Sequence, residues 1–398
     1  MRLLYVYRDV SKQSGVFNKV QSHINGLFRD FENSEIEVLI FGERINSGAY
    51  SGFKAQMHMV EIPKFQANPL LRTKPFWGIL YEKELWNTYK SLLPSIIKLN
   101  PDIIVLRDFA MSQSGIKLLQ KLNQFTKVVL ESNTLIDSEL VLKALENNWY
   151  KVEYLKEKKW RHHACKHIAG VIAVTNELAE QYRVLGFENE KIHIFSNGIE
   201  VLEKELNDFP NSEEIRGVFL AGTGSKWNGV DRLIESLKIY TGKEALRIDV
   251  LGISGESEDF GNNTRIEYYS VLTQQQLNSA ISKYHFGIST LALYRKGMNE
   301  ASALKVRTYL ANGLPIVLAY DDTDINEILP FVYNASNDSK PLKFELIFSQ
   351  FRGIWKNNTK KDIYLFAKKN LDFKNKQIKL IAFLDSIHCC ESALKETK

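Results

Sequence analysis

Residues 291–320, LALYRKGMNEASALKVRTYLANGLPIVLAY, gather cations, a carboxylate and a glycine-containing loop between two strand-like runs. Arg295, Lys296 and Lys305 have the chemistry to neutralise negative charge that builds on a departing phosphate. Glu300 offers two acceptor oxygens suited to the hydroxyls of a sugar. The spacing predicts a helix that begins near Ser302 and ends at Asn312–Gly313, a favourable C-cap pair. A helix entrance presents unpaired amides to an anion such as a diphosphate. A basic loop with a capping acid on an ordinary βαβ crossover fits the same spacing equally well.

Further candidates lie in the first half. LRDFAMSQSG places Arg107 and Asp108 after one strand-like run, and LESN places Glu131 and Asn133 after the next. A carboxylate there can orient an acceptor hydroxyl or take its proton; turn and capping roles fit equally. AGTGSK (221–226) lacks the G-x-x-x-x-G-K-[ST] spacing, which argues against a P-loop triphosphatase. Asp322-Thr-Asp324 imitates a metal-binding D-x-D, but it directly follows a strand and reads as the start of a helix. Cys165, Cys389 and Cys390 are too few and too badly placed for a disulfide framework, and no Cys or His spacing suits zinc. WYKVEYLKEKKWRHHACKH (149–167) carries lysines and Trp160 and reads either as a solvated helix or as a helix resting on an anionic membrane surface.

The elements that must position these residues follow a βαβ rhythm. MRLLYVY, EIEVLIF, DIIVL, KVVL and GVIAV read as buried strands, with Val20, Ile24, Leu27 and Phe31 at helical spacing after the first. IHIFSNGIEV (192–201) reads as the last strand of this half, and Gly42 to about Trp77 reads as loop. LEKELNDFPNSEEIRG is the linker. A second series follows in GVFLAG, LRIDVLG, FGIST and PIVLAY, and Ile378, Ile381, Leu384 and Ile387 predict a packed terminal helix. The expected domains are 1–205, 206–370 and a helix over 371–398 that packs back across them. At 398 residues, two domains are the default. A net charge of +5 permits weak attraction to phosphate or anionic lipid without demanding nucleic acid. MRLLYVYRDV lacks the apolar core of a signal peptide, and no run is long enough to span a membrane, so a cytoplasmic chain is expected.

The 291–320 segment resembles the donor-binding signature of the family 4 retaining glycosyltransferases, above all the branch that builds bacterial surface polysaccharides. There the pattern runs Glu-Ala-Ser-x-Leu-Lys-Val-Arg-Glu-Tyr-Leu-Ala, a form of the family's E-x7-E motif. SGVFNKVQSHINGL (14–27) resembles the family's N-terminal glycine loop and first helix. GVIAVTNELAEQYRVLGFENEKIHIFSNGIEV (170–201) resembles the segment that ends in Asn-Gly before the hinge, and KWNGVDRLIESL (226–237) resembles the stretch that opens the donor domain.

The resemblance implies a GT-B fold, two facing Rossmann-like doubly wound α/β domains with a cleft between them. It implies transfer of a sugar from a UDP- or GDP-linked donor, with retention and without a metal or other cofactor, to a glycan or lipid-linked glycan. The second domain would hold the nucleotide sugar and the first the acceptor, at the inner face of the cell membrane. Glu300 would contact the donor sugar, with the amides of Ala301, Ser302, Ala303 and Leu304 near sugar and diphosphate. Gly15 would let backbone approach the donor, and Ser270 and Val271 match the place where backbone holds the base. The sequence departs from the family twice. Thr308 stands where the second glutamate, which holds the ribose, is expected. The phosphate-binding Arg/Lys pair is missing, with Thr223 and Asn228 near its places, which leaves Lys226, Arg295, Lys296 and Lys305 as substitutes. These departures keep open a non-catalytic partner subunit of another glycosyltransferase; a sugar-nucleotide epimerase of the same fold is the other alternative.

Overall fold

A computed structural model describes residues 1–9, 14–30, 35–62, 76–107, 109–135, 148–222, 224–270, 272 and 274–389. Asp108, Thr223, Val271 and Cys390 lie outside the described residues. The chain divides into two compact units, Met1–Phe195 with Lys376 onward, and Ser196–Asn375. The break falls ten residues before the one the linker composition suggests. Residues 196–201 are tied into the second unit, where Ile199 N donates to Leu371 O at 2.9 Å and Asn197 N to Ser302 Oγ at 2.8 Å.

In the first unit, seven parallel strands lie in the order β3-β2-β1-β4-β5-β6-β7. They are β1 (Arg2–Arg8), β2 (Glu35–Gly42), β3 (Gln56–Glu61), β4 (Ile103–Arg107), β5 (Lys127–Ser132), β6 (Gly170–Ala173) and β7 (Ile192–Ile194). Leu3 to Tyr7 and Ile103 to Leu106 are buried without a break, as strands covered on both faces require. The helices are α1 (Ser14–Asp30), α2 (Trp77–Leu99), α3 (Gln113–Leu122), α4 (Asn148–Cys165) and α5 (Asn176–Val184). α1 buries Val20, Ile24 and Leu27, as its periodicity predicts. β3 lies within the stretch that reads as loop, because His58 and Glu61 interrupt its apolar pattern. β7 stops at Ile194, well short of the expected strand end.

The second unit has a seven-stranded sheet in the order β10-β11-β9-β8-β12-β14-β16, parallel except for β10 against β11. Its strands are β8 (Glu214–Leu220), β9 (Ala245–Leu251), β10 (Glu258–Asp259), β11 (Thr264–Tyr269), β12 (Phe286–Ile288), β14 (Ile316–Leu318) and β16 (Val332–Asn334). A separate pair, β13 (Glu300–Ala301) and β15 (Asp321–Asp322), is also parallel. The helices are α6 (Val230–Lys238), α7 (Gln274–Ile281), α8 (Leu304–Leu310), α9 (Phe344–Asn357) and α10 (Lys360–Asn370). Phe286 meets Phe344, Phe348 and Phe351 of α9 in an aromatic core.

The terminal helix α11 (Phe373–Cys389) joins the first unit from Lys376. Its buried stripe is the expected one only in part, since Leu384 and Ile387 are buried but Ile381 is half-buried. Ile378 is 61% exposed, whereas Gln377 is fully buried beside Leu380, Leu384 and Ile387. The amide is accommodated because Gln377 Nε2 donates to His23 O at 2.9 Å. This contact needs Gly26 on α1: a Cβ there would lie 2.5 Å from Gln377 Nε2. Gly26→Ala is therefore expected to displace the amide and cost about 1–3 kcal/mol; an unchanged melting temperature would disprove the close packing.

Candidate functional site

In open α/β sheets, ligands bind at the carboxyl ends of the strands where the strand order reverses. In the second unit that point lies between β8 and β12. The loop leaving β8 passes Gly222 (φ 60°), Gly224 (φ 69°) and Gly229 (φ 78°), left-handed positions that favour glycine. Gly229 is also required sterically, since a Cβ there would lie 2.9 Å from Leu291 Cβ and 3.0 Å from Ala292 N. The loop is sewn to the segment after β12, because Leu291 N donates to Asn228 O at 2.9 Å and Ala292 N to Trp227 O at 3.2 Å.

Lys305 lies at this point. It enters from the first turn of α8, and its Nζ donates to Asn228 Oδ1 at 3.0 Å and sits 4.6 Å from the centre of the Phe219 ring. Asn228 is itself buried and oriented by Nδ2, which donates to Ala221 O at 2.9 Å. Among the described residues Lys305 has no carboxylate partner, and burial alone lowers its ammonium to about 7. A half-buried cation with neutral partners only, among the described residues, is poised for an anionic ligand. Asn228, near the place of the missing family lysine, thus positions an ammonium delivered by another element.

The other cations are arranged differently from the expectation. Arg295 makes a bidentate pair with Asp231, at 3.0 and 2.6 Å, and donates to Lys226 O at 2.7 Å. It fastens the 291–297 segment to the β8 loop. Lys296 Nζ lies 4.9 Å from the centre of the Trp227 ring, and Lys226 is exposed. Ser270 is exposed at the end of β11, and Gly15 lies at the start of α1.

Glu300 does not stand at a helix entrance. The helix starts at Leu304, two residues later than expected, and is only seven residues long. Glu300 and Ala301 instead form β13 against Asp321 and Asp322. Ser302 is occupied by Asn197, whose N donates to Ser302 Oγ and whose Nδ2 donates to Ser302 O. Ala301 O accepts from Thr323 N at 3.3 Å, and Ala303 is the N-cap without a side-chain bond. Thr308 Oγ1 donates to Leu304 O at 3.2 Å, so its hydroxyl is turned into its own helix.

Asp322 and Asp324 hold no helix start. Both pair with the fully buried Arg307, which also donates from Nε to Asn197 O at 2.8 Å. Ser196 Oγ donates to Asp324 Oδ1 at 2.6 Å. The D-x-D pattern is thereby a structural ion network. Among the described residues no group of three or more His, Cys, Asp or Glu is arranged to hold a metal.

In the first unit the reversal lies between β1 and β4, and Arg107, Glu131 and Asn133 converge there, while Asp108 lies outside the described residues. Arg107 Nη1 donates to Glu131 Oε1 at 2.5 Å and to Asn133 Oδ1 at 3.2 Å, and Asn133 Nδ2 donates to Glu131 Oε1 at 3.1 Å. Sequence reasoning missed Lys19 of α1, whose Nζ donates to Asn133 Oδ1 at 2.8 Å and lies 3.7 Å from Glu131. It also missed His23, which shares a 2.9 Å hydrogen bond with Tyr5 Oη. The only local signal was that Lys19 and His23 are four residues apart on one helix face. Burial pushes the Glu131 carboxyl up, but Arg107 and Lys19 outweigh it and hold it at about 2. So weak a base suits orientation of a hydroxyl better than removal of its proton. Burial lowers His23 to about 4, which keeps its ring neutral at pH 7.

The model of Glycosyltransferase Family 4 matches residues 20–201. No curated protein is significantly similar in sequence. Among solved structures, the chain is similar to the lipopolysaccharide outer core galactosyltransferase WaaB in its apo form, at 12% identity and a TM-score of 0.63, over 97% of this chain and 100% of that one. It is similar to sucrose-phosphate synthase from Thermosynechococcus elongatus, at 9% identity and 0.65, over 97% and 99%. It is likewise similar to Anabaena HepE in complex with UDP and glucose, at 13% identity and 0.60, over 97% and 100%. With its two parallel-sheet Rossmann-like units the chain has the fold of the GT-B glycosyltransferases, and its residues 20–201 carry the Glycosyltransferase Family 4 pattern.

Proposed function

We propose that the chain transfers a sugar, with retention and without a metal, from a UDP- or GDP-linked donor held by the second unit to a glycan or lipid-linked glycan held by the first. The product would belong to a cell-surface polysaccharide such as capsule, exopolysaccharide or O-antigen, made at the inner face of the cell membrane. The observation that carries this reading is Lys305, a half-buried cation with neutral partners at the sheet's reversal point. An ammonium there stabilises the diphosphate charge that develops as the glycosidic bond breaks. Glu300 orients the donor sugar, and Arg107, Glu131 and Asn133, with Lys19, orient the acceptor. Two relatives support the substrate class: WaaB is named a galactosyltransferase of lipopolysaccharide, and HepE is described with UDP and glucose.

Glu300→Gln is expected to keep the melting temperature and lower turnover at least about a hundredfold, which is about 2.7 kcal/mol of transition-state stabilisation. Near wild-type turnover would remove Glu300 from the site. A thermal-shift panel of UDP, GDP, ADP and CMP identifies the base, and turnover that requires a divalent cation after chelation would overturn the metal-free mechanism. A non-catalytic partner subunit is the second reading, favoured by the engaged Arg295 and the inward Thr308 hydroxyl. Nucleotide binding without donor hydrolysis or transfer would establish it.

A further inference from the structure

The first unit carries a groove of about 620 Å³ along the outer face of α3, lined by Trp86 of α2, Trp160 of α4, and Gln113, Ile116, Lys117 and Gln120 of α3. None of its lining residues is acidic. Lys117 Nζ lies 4.0 Å from the centre of the Trp86 ring and Lys159 Nζ 5.3 Å from that of Trp160, so each indole carries an ammonium. The α3 N-terminus takes no part, since Glu82 accepts from Gln113 N at 3.3 Å and Ser114 N at 2.8 Å. Nothing in the proposed transfer reaction uses this groove.

We propose that the groove is a secondary binding site for an anionic glycan segment, resting on the reading that this chain builds a cell-surface polysaccharide. Indole faces pack against the apolar faces of pyranose rings, and side-chain amides bond their hydroxyls. Gln113 and Gln120 stand seven residues apart on one helix face, about 10.5 Å along the axis, the reach of an oligosaccharide segment and more than one ring. Lys117 and Lys159 pair with carboxylates or phosphates along the chain. An open groove with two glutamines, whose amides bond hydroxyls, suits a glycan chain better than a membrane interface, which takes an apolar helix face. A site that holds the growing chain away from the reacting end raises its effective concentration there.

The test measures binding of a hyaluronan octasaccharide, a neutral maltooctaose and phosphatidylcholine vesicles containing phosphatidylglycerol to the full chain and to Trp160→Ala, Lys117→Glu and Gln120→Ala. Each variant is checked for an unchanged melting temperature, and Gln120→Ala changes an exposed side chain. Hyaluronan is expected to bind more tightly than maltooctaose, to weaken with salt, and to lose about tenfold affinity in Trp160→Ala and Lys117→Glu. Nucleotide-induced thermal shifts should be the same in all variants. No hyaluronan binding by the wild type, or binding indifferent to these substitutions, overturns the proposal. So does vesicle binding that the same substitutions abolish while hyaluronan binding is absent, which makes the face a membrane contact. Groove binding without any nucleotide shift defeats the transferase reading alone.

Discussion

Lys305→Met is expected to abolish the thermal shift given by the nucleoside diphosphate that the wild type binds, and to reduce turnover at least about a hundredfold. The substitution preserves length and apolar stem while removing the half-buried ammonium that donates to Asn228. The fold should not suffer. In the folded chain this amine titrates near 7, against about 10.4 in an unfolded one. Between those values the unfolded state binds more protons, so wild-type stability rises with pH across that window. Below pH 7 the cost of burying the charge is fully present. Lys305→Met should therefore be more stable than the wild type at pH 6, with the gap closing toward pH 9. A diphosphate bound at the ammonium favours its protonated form, so binding at pH 8 should take up about 0.9 proton from solvent, given a pKa of about 7. Calorimetry in buffers of different ionisation enthalpy reads that number directly. A methionine variant that is less stable at pH 6, or wild-type binding without proton uptake, would show that Lys305 is not the phosphate partner.

Arg307→Met should have the largest effect on stability. It leaves Asp322, which is fully buried, and Asp324 without their guanidinium and removes the donor to Asn197 O. Stranding a buried charge costs about 3–5 kcal/mol, or about 6–20 °C in melting temperature for a unit of this size. The triple replacement Arg307→Met, Asp322→Asn, Asp324→Asn should recover part of the loss, because the expense lies in the unpaired carboxylates. Since Asn197 also holds Ser302, the single variant should weaken nucleotide binding beyond what its lower stability explains. A shift in melting temperature of only a degree or two would mean that water reaches the carboxylates and that the network contributes little.

Much of the fold was legible along the chain. Buried runs such as Leu3–Tyr7 and Ile103–Leu106, followed by helices of regular apolar spacing, specify parallel strands covered on both faces. That pattern is local, and burial on both faces writes it into every residue of the strand. Lys305 and Glu300 stood out because their types recur in one short segment, and Arg107, Glu131 and Asn133 because they follow strands. The short elements were not legible. β10, β13 and β15 have two residues each, too few to show a period, and β13 moves Glu300 off the helix entrance that its neighbours suggest.

Partnership between side chains was decided by the tertiary structure alone. Arg295 and Lys305 are both basic residues in one loop–helix segment, yet one is consumed by Asp231 and the other is left facing an asparagine 77 residues away. Arg307 reads as an ordinary helix residue until the chain brings Asp322, Asp324 and Asn197 around it. Lys19 gives no sign of belonging with Asn133, 114 positions distant. Periodicity records which way a side chain points, inward or outward, because that depends on neighbours three or four residues off. Which charge meets which depends on how strands are ordered in a sheet, and that order is set by the summed burial of the whole unit, to which no single pair contributes a readable mark.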